Sequence, residues 1–272
     1  MARSRRRSSA DGNAGQIAVI IALLVVLVAL IGGLSWLFLK ATSQYVPREA
    51  TTLCPKAGYA SQTLVLLDTT DALASVTRTQ VLQKLRDLVA AIPKDGFFEL
   101  RLLSANPEKS IPVVALCNPG DGSDIDPMTG NPERARDRWE NEYANKVEAA
   151  LTHGIEGTAQ DFSPIMETLQ RMAAERLTAN RDRAIPTHIV VVSDMIQHTE
   201  TYSHYRDGVS EAAYADGPKD RLATDFAGAD MEFWLVRRDS ARFELEALAA
   251  FWLHWAEANH ARPPAKLNAL MG

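Results

Sequence analysis

Thr63-Leu64-Val65-Leu66-Leu67-Asp68-Thr69-Thr70-Asp71 decides how this chain is read: an unbroken apolar run stops abruptly at two carboxylates and two hydroxyls. Such a run, bounded by polar residues and followed by a helical pattern, reads as a strand buried on both faces. Asp68 then stands where the strand leaves the core. In open α/β sheets, ligands bind beyond the carboxyl ends of the strands. A second run, His188 to Val192 followed by Ser193 and Asp194, repeats the arrangement. Two buried strands, each closing on an aspartate, mark a candidate site at one edge of a sheet.

Outward from the first run, Val81, Leu85, Leu88 and Ile92 recur at helical spacing and give one apolar face. Pro93 and Gly96 end that helix. Phe97 to Ser104 and Ile111 to Cys117 read as strands. The turn at Asn106 to Lys109 is too short for a crossover helix, so these two strands form an antiparallel hairpin. A helix from about Glu133 to His153 carries Trp139, Tyr143, Val147 and Leu151. Ser163 followed by Pro164 reads as the start of the next helix, with the hydroxyl at the N-cap. Met231 to Val236 is the last clear strand. The final helix carries Leu245, Leu248, Phe251, Trp252 and Trp255, an aromatic stripe expected in the core. Pro263 and Pro264 open a tail. Strand, helix, hairpin, helices, strand, strand, helix is the order of an α/β three-layer sandwich with a mostly parallel sheet and one antiparallel edge strand.

The N-terminus differs in character. Arg3, Arg5, Arg6 and Arg7 precede an uncharged apolar run from Ile17 to Leu39, which matches the roughly 20 residues needed to span a bilayer. A cleavable signal peptide is the alternative, but its apolar region is usually about 7–15 residues. The chain therefore reads as a basic tail (1–16), a transmembrane helix (17–39), a linker (40–52), an α/β domain (53–260) and a tail (261–272). The arginines ahead of the span place the N-terminus in the cytoplasm and the domain on the periplasmic or extracellular side of the plasma (inner) membrane. A net charge of -5 over 272 residues, with no basic stripe beyond the tail, argues against nucleic-acid binding. Both cysteines, Cys54 and Cys117, follow the span. Export and an even count favour a disulfide, against the alternative of two buried thiols.

Spacing distinguishes the clusters that hold metal-binding residue types. Asp121, Asp124 and Asp126 lie in a Gly- and Pro-rich loop but lack the EF-hand pattern, and read as a solvated turn. His198, Glu200 and His204 lack the i, i+4 spacing of a zinc helix, and read as part of a rim loop. No GxSxG, HExxH, P-loop or GxGxxG motif sits at a strand–helix junction, which leaves a hydrolase as the least supported reading. An aspartyl phosphatase needs an acid two residues after Asp68, where Thr70 stands.

The element order, with Asp68-Thr69-Thr70-Asp71-Ala72 after the first strand, resembles a von Willebrand factor type A (vWA) domain. The resemblance covers about Leu53 to His260, by order rather than by close identity. It implies that the first and fourth strands lie side by side at the sheet centre. It also implies a metal-ion-dependent adhesion site built from Asp-x-Ser-x-Ser, a loop Thr and a later Asp. Asp68 and Thr70 match, Thr158 or Ser163 stands for the loop hydroxyl, and Asp194 for the later Asp; Ala72 cannot coordinate. These hard oxygen ligands suit Mg²⁺ or Mn²⁺. Capping of turns or helices is the other use of Asp68 and Asp194. The expectation is a membrane-anchored, envelope-facing module that binds another protein as a subunit of a larger assembly, either through a metal at this site or as a metal-free scaffold.

Overall fold

A computed structural model describes residues 10–43, 46–157, 159–178, 184–237 and 243–270. The chain divides into two compact units, Met1–Val46 with Ser123–Pro132, and Pro47–Gly122 with Glu133–Gly272.

The first unit is dominated by helix α1, Ala10–Ser43. Its segment Gly15–Lys40, 26 residues, is long and apolar enough to cross a membrane. At 1.5 Å per residue it extends about 39 Å, against a hydrocarbon core of about 30 Å. In the same unit Lys40 Nζ lies 2.6 Å from Asp126 Oδ2, and Asp126 Oδ1 accepts from the Met128 amide at 3.0 Å. Asp126 is thus engaged as an ion-pair and turn residue.

The second unit is the α/β sandwich. Its elements are β1 (Ser61–Leu67), α2 (Ser75–Ala90), β2 (Gly96–Leu102), β3 (Pro112–Cys117), α3 (Pro132–Arg138), α4 (Asn145–Gly154), α5 (Ile165–Arg176), β4 (Thr187–Ser193), three short helices α6 (His204–Asp207), α7 (Glu211–Ala215) and α8 (Pro218–Leu222), β5 (Asp230–Val236), α9 (Leu245–Ala258) and β6 (Lys266–Leu270). The strands form one sheet in the order β3-β2-β1-β4-β5-β6. Only β2 and β3 pair antiparallel; the other neighbours are parallel. The hairpin and the parallel centre are as the turn length and the apolar runs require.

Strand parity explains why β1 reads as continuously apolar. Leu64 and Leu66 enter one core with Ile189, Val191, α5 and α9, while Val65 and Leu67 enter the other with Val190, Val192, α2 and α4. Trp252 and Trp255 on α9 are buried in the first core, as the aromatic stripe predicts. One feature was hidden by composition. Glu99 and Arg101 alternate with Phe98 and Leu100 on β2, yet both are fully buried. Arg101 Nη2 meets Glu99 Oε1 at 2.8 Å and Glu175 Oε2 at 2.6 Å, and Arg176 Nε meets Glu99 Oε2 at 2.6 Å. Buried charges persist only when paired in this way.

Four sequence expectations change. The tail (261–272) holds a further strand: Lys266–Leu270 pairs with β5 at the sheet edge. The linker's second half belongs to the folded unit, since Arg48 bridges to Pro55 and its guanidinium reaches Asp95 and the Leu53 carbonyl. The helix expected over 133–153 is α3 and α4 joined through a π-helical turn at Trp139–Ala144. The loop after β4, expected to be a rim loop, is folded inward: Tyr202, Ser203 and His204 are all buried.

Cys54 and Cys117 form a disulfide closing a separation of 63 residues. It ties the segment before β1 to the end of β3. Replacing both cysteines by serine should lower stability by about 2–4 kcal/mol, measured as a fall in melting midpoint of the full chain in detergent; an unchanged midpoint contradicts this.

Candidate functional site

β1 does not stop its pairing at Leu67. Asp68 N donates to the Val192 carbonyl at 2.8 Å, so the chain runs beside β4 for one more residue. With Leu67 opposite Val192, the next pair is Asp68 with Ser193. Both continue the parity of Leu64, Leu66, Ile189 and Val191, and so stand over the core that holds α5. Ser163 arrives on the same side from the loop before α5.

The Asp68 carboxylate is 3% exposed and fully engaged. Oδ1 accepts from Thr70 N at 3.0 Å and Thr70 Oγ1 at 2.7 Å. Oδ2 accepts from Ser193 Oγ at 2.6 Å and Ser163 Oγ at 3.3 Å. Ser193 Oγ in turn accepts from Met195 N at 2.9 Å. One carboxylate therefore joins the turn after β1, the end of β4 and the entry to α5. Charge-assisted bonds of this kind are roughly twice as strong as neutral ones.

Neighbouring backbone locks the same corner. Gln160 N donates to the Thr70 carbonyl at 2.9 Å. A Cβ at Gly157 would lie 2.7 Å from Asp71 O and 2.8 Å from Thr69 O, so only glycine permits this approach. Ser163 and His198 exchange two backbone bonds, at 2.9 and 3.0 Å.

Of the sequence-predicted residues, Asp68, Thr70 and Ser163 come together. Thr158 lies outside the described residues. Asp194 is half-buried and its Oδ1 accepts from Ile196 N at 3.0 Å, closing its own turn. Ser193, not Asp194, donates to Asp68. Parity decides this: a step of one residue along a strand moves the side chain to the other face. Ser163 was expected to cap α5 but does not. The N-cap is Pro164, without a side-chain cap, and Met166 N is instead satisfied by Gln197 Oε1 at 3.0 Å. That long-range cap frees the Ser163 hydroxyl for Asp68. Ser193, Gln160 and Gln197 were missed from sequence; only the shared parity of Ile189, Val191 and Ser193 signalled any of them.

The chain leaves β4 through Met195, whose φ of 62° places a non-glycine residue in the left-handed region. Trp252 Nε1 holds the Met195 carbonyl at 2.7 Å. Beyond it the two histidines separate. His198 Nδ1 meets Ser203 Oγ at 2.8 Å, and its ring lies between Phe162 and Tyr205, with centroids 5.5 and 5.3 Å away. His204 is enclosed by Tyr202, Phe243, Phe251 and Trp252. Among the described residues no group of three or more His, Cys, Asp or Glu is placed to hold a metal ion. The hydroxyls of Thr70, Ser163 and Ser193 are bonded to the Asp68 carboxylate, and Ala72 has no side-chain oxygen.

No protein-family model and no curated protein matches the sequence. Among solved structures the chain is similar to the human COPII-coat protein Sec24c, at 6% sequence identity and a TM-score of 0.41, over 78% of this chain and 29% of that one.

Burial depresses the His204 imidazole from 6.5 to about 4, partly offset by the Met195 backbone and Asp207. The unfolded chain thus takes up a proton that the folded chain refuses. Stability is full above pH 6.5 and falls with acidification until about pH 4, by up to about 3 kcal/mol. His204→Phe should flatten that part of the melting-versus-pH curve; an unchanged slope contradicts the assignment.

Proposed function

We propose that this chain is a membrane-anchored, vWA-like protein-binding module displayed on the non-cytoplasmic side of the membrane, in which Asp68 is a structural latch rather than a metal ligand. The vWA reading is supported by the element order and by the central pairing of β1 with β4. The placement outside the cytoplasm is supported by the arginines ahead of the span and by the Cys54–Cys117 disulfide, which an oxidising compartment favours.

The observation that carries the latch reading is the saturation of Asp68: each carboxylate oxygen takes two protein donors while the side chain is 3% exposed. A cation entering here would have to displace or reorient donors already supplied by Thr70, Ser163 and Ser193. It would also lack the ligand that the adhesion pattern expects at position 72. Partner binding then falls to the surface over the latch. Phe162 and Tyr205 are 36% and 49% exposed and flank the His198 ring. Exposed aromatics on a rigid loop are suited to anchoring an interface. A latch that fixes the loop before α5 and the loop after β4 keeps these rings in register.

The metal-dependent reading retains one supporting feature, the gathering of a carboxylate and three hydroxyl oxygens, all hard donors suited to Mg²⁺ or Mn²⁺. Calorimetric titration of the full chain in detergent separates the two. The latch reading expects no saturable heat with Mg²⁺ or Mn²⁺ up to millimolar concentration, with Asp68→Ala lowering the melting midpoint in either case. Saturable binding that Asp68→Ala abolishes replaces it with the metal-dependent one.

A further inference from the structure

β3 is an outer strand of the sheet, with β2 as its neighbour. The direction of its backbone groups is fixed by two bonds. Asn118 N donates to Gly96 O at 2.9 Å, toward β2, whereas Cys117 N donates to Thr52 O at 2.8 Å, away from it. Along an antiparallel strand these directions alternate. Ala115 therefore shares the outward direction of Cys117; Val113 lies at the register shift opposite Leu100 and Arg101, where the alternation is interrupted. Among the described residues, Ala115 has no backbone partner on that side.

Edge strands are normally protected by charge, proline, a bulge or a covering segment. Here Pro112 and the irregularity opposite Leu100 and Arg101 protect only the start of β3, and Thr52 covers only its end. Between them Val113 is 47% exposed, and Ile111 just before the strand is 63% exposed. Alongside runs a groove of about 690 Å³ between β3 and α4. Its floor on the helix side is Ala149 and Ala150, small enough to admit a neighbouring strand's side chains. Lys146 and His153 line its helix wall. Seven residues apart, they stand about 10 Å from each other along the helix. Among the described residues neither side chain engages in an ion pair or hydrogen bond.

We propose that this edge and groove bind an extended segment of a partner protein, which adds to the sheet beside β3. Main-chain bonds to Ala115 would supply affinity, and side chains at alternate positions would supply specificity. On the groove side those positions are acidic, apolar, acidic, matching Lys146, the two alanines and the far end of the groove. A second copy of this chain is a poorer fit. The stretch Ile111–Cys117 contains no acidic residue, so β3 pairing with β3 leaves Lys146 of each copy without a counter-charge. Binding at this edge does not require the Asp68 latch.

The test uses the full chain in nanodiscs and two fluorescent peptides, acetyl-Glu-Thr-Val-Thr-Glu-Thr-amide and its counterpart with lysine in place of glutamate. The acidic peptide should bind at least about fivefold more tightly than the lysine peptide, with the preference lost at high salt. Ala115→Pro removes only an outward N–H, since the bonds to β2 come from the alternate residues, and should abolish binding. If that variant fails to fold, Lys146→Glu, on an exposed helix surface, decides alone by reversing the preference. Equal binding of the two peptides, no binding of the acidic one, or an unchanged preference in Lys146→Glu overturns the proposal. Self-association that Ala115→Pro abolishes also overturns it, assigning the edge to a second copy.

Discussion

A carboxylate taken almost wholly out of water has to be met by donors, and in this fold the donors come from three separate segments. Asp68 is held by Thr70 two residues on, by Ser193 from the neighbouring strand and by Ser163 from the loop before α5. Leaving such a group unsatisfied costs several kcal/mol, so the three segments arrive together or the corner does not form. The consequences propagate outward. Because Ser163 serves Asp68, α5 takes its cap from Gln197. Because Gln197 must reach α5, the loop after β4 turns inward, buries His204 among aromatic rings and presents His198 between Phe162 and Tyr205.

The two ends of the sheet's hydrogen-bonding direction are managed differently. β6 closes one side with a short strand in which Lys266 and Asn268 alternate with apolar residues. β3 closes the other with the Ala115 backbone turned outward, Val113 exposed and a disulfide at its end. The disulfide ties the segment entering the domain to that same strand, so this segment is anchored before the sheet begins.

Much of the fold was legible in the sequence because apolar runs and turn lengths speak directly to burial and connectivity. His188 to Val192 and Leu64 to Leu67 read as two-faced strands, and the turn at Asn106 to Lys109 is too short to join parallel neighbours. The buried pair Glu99 and Arg101 was illegible, since charge in a sequence signals solvent unless its partners, Glu175 and Arg176, are known to be near. β6 was hidden by Pro263 and Pro264, which announce a break but give no sign of a strand beyond it. At the site, Asp68, Thr70 and Ser163 were found by residue type. Asp194 was named from the resemblance, which expects an aspartate after the fourth strand; Ser193, which shares the parity of Ile189 and Val191, is the residue whose hydroxyl meets Asp68.

The integrity of this corner depends on the coupling between Asp68 and Ser193, 2.6 Å apart across the two central strands. A double-mutant cycle with Asp68→Asn and Ser193→Ala, read from equilibrium unfolding of the full chain in detergent, measures it directly. A coupling energy of about 1–3 kcal/mol is expected for a buried charge-assisted bond. Effects that add to within about 0.5 kcal/mol would show that these side chains do not hold the corner together.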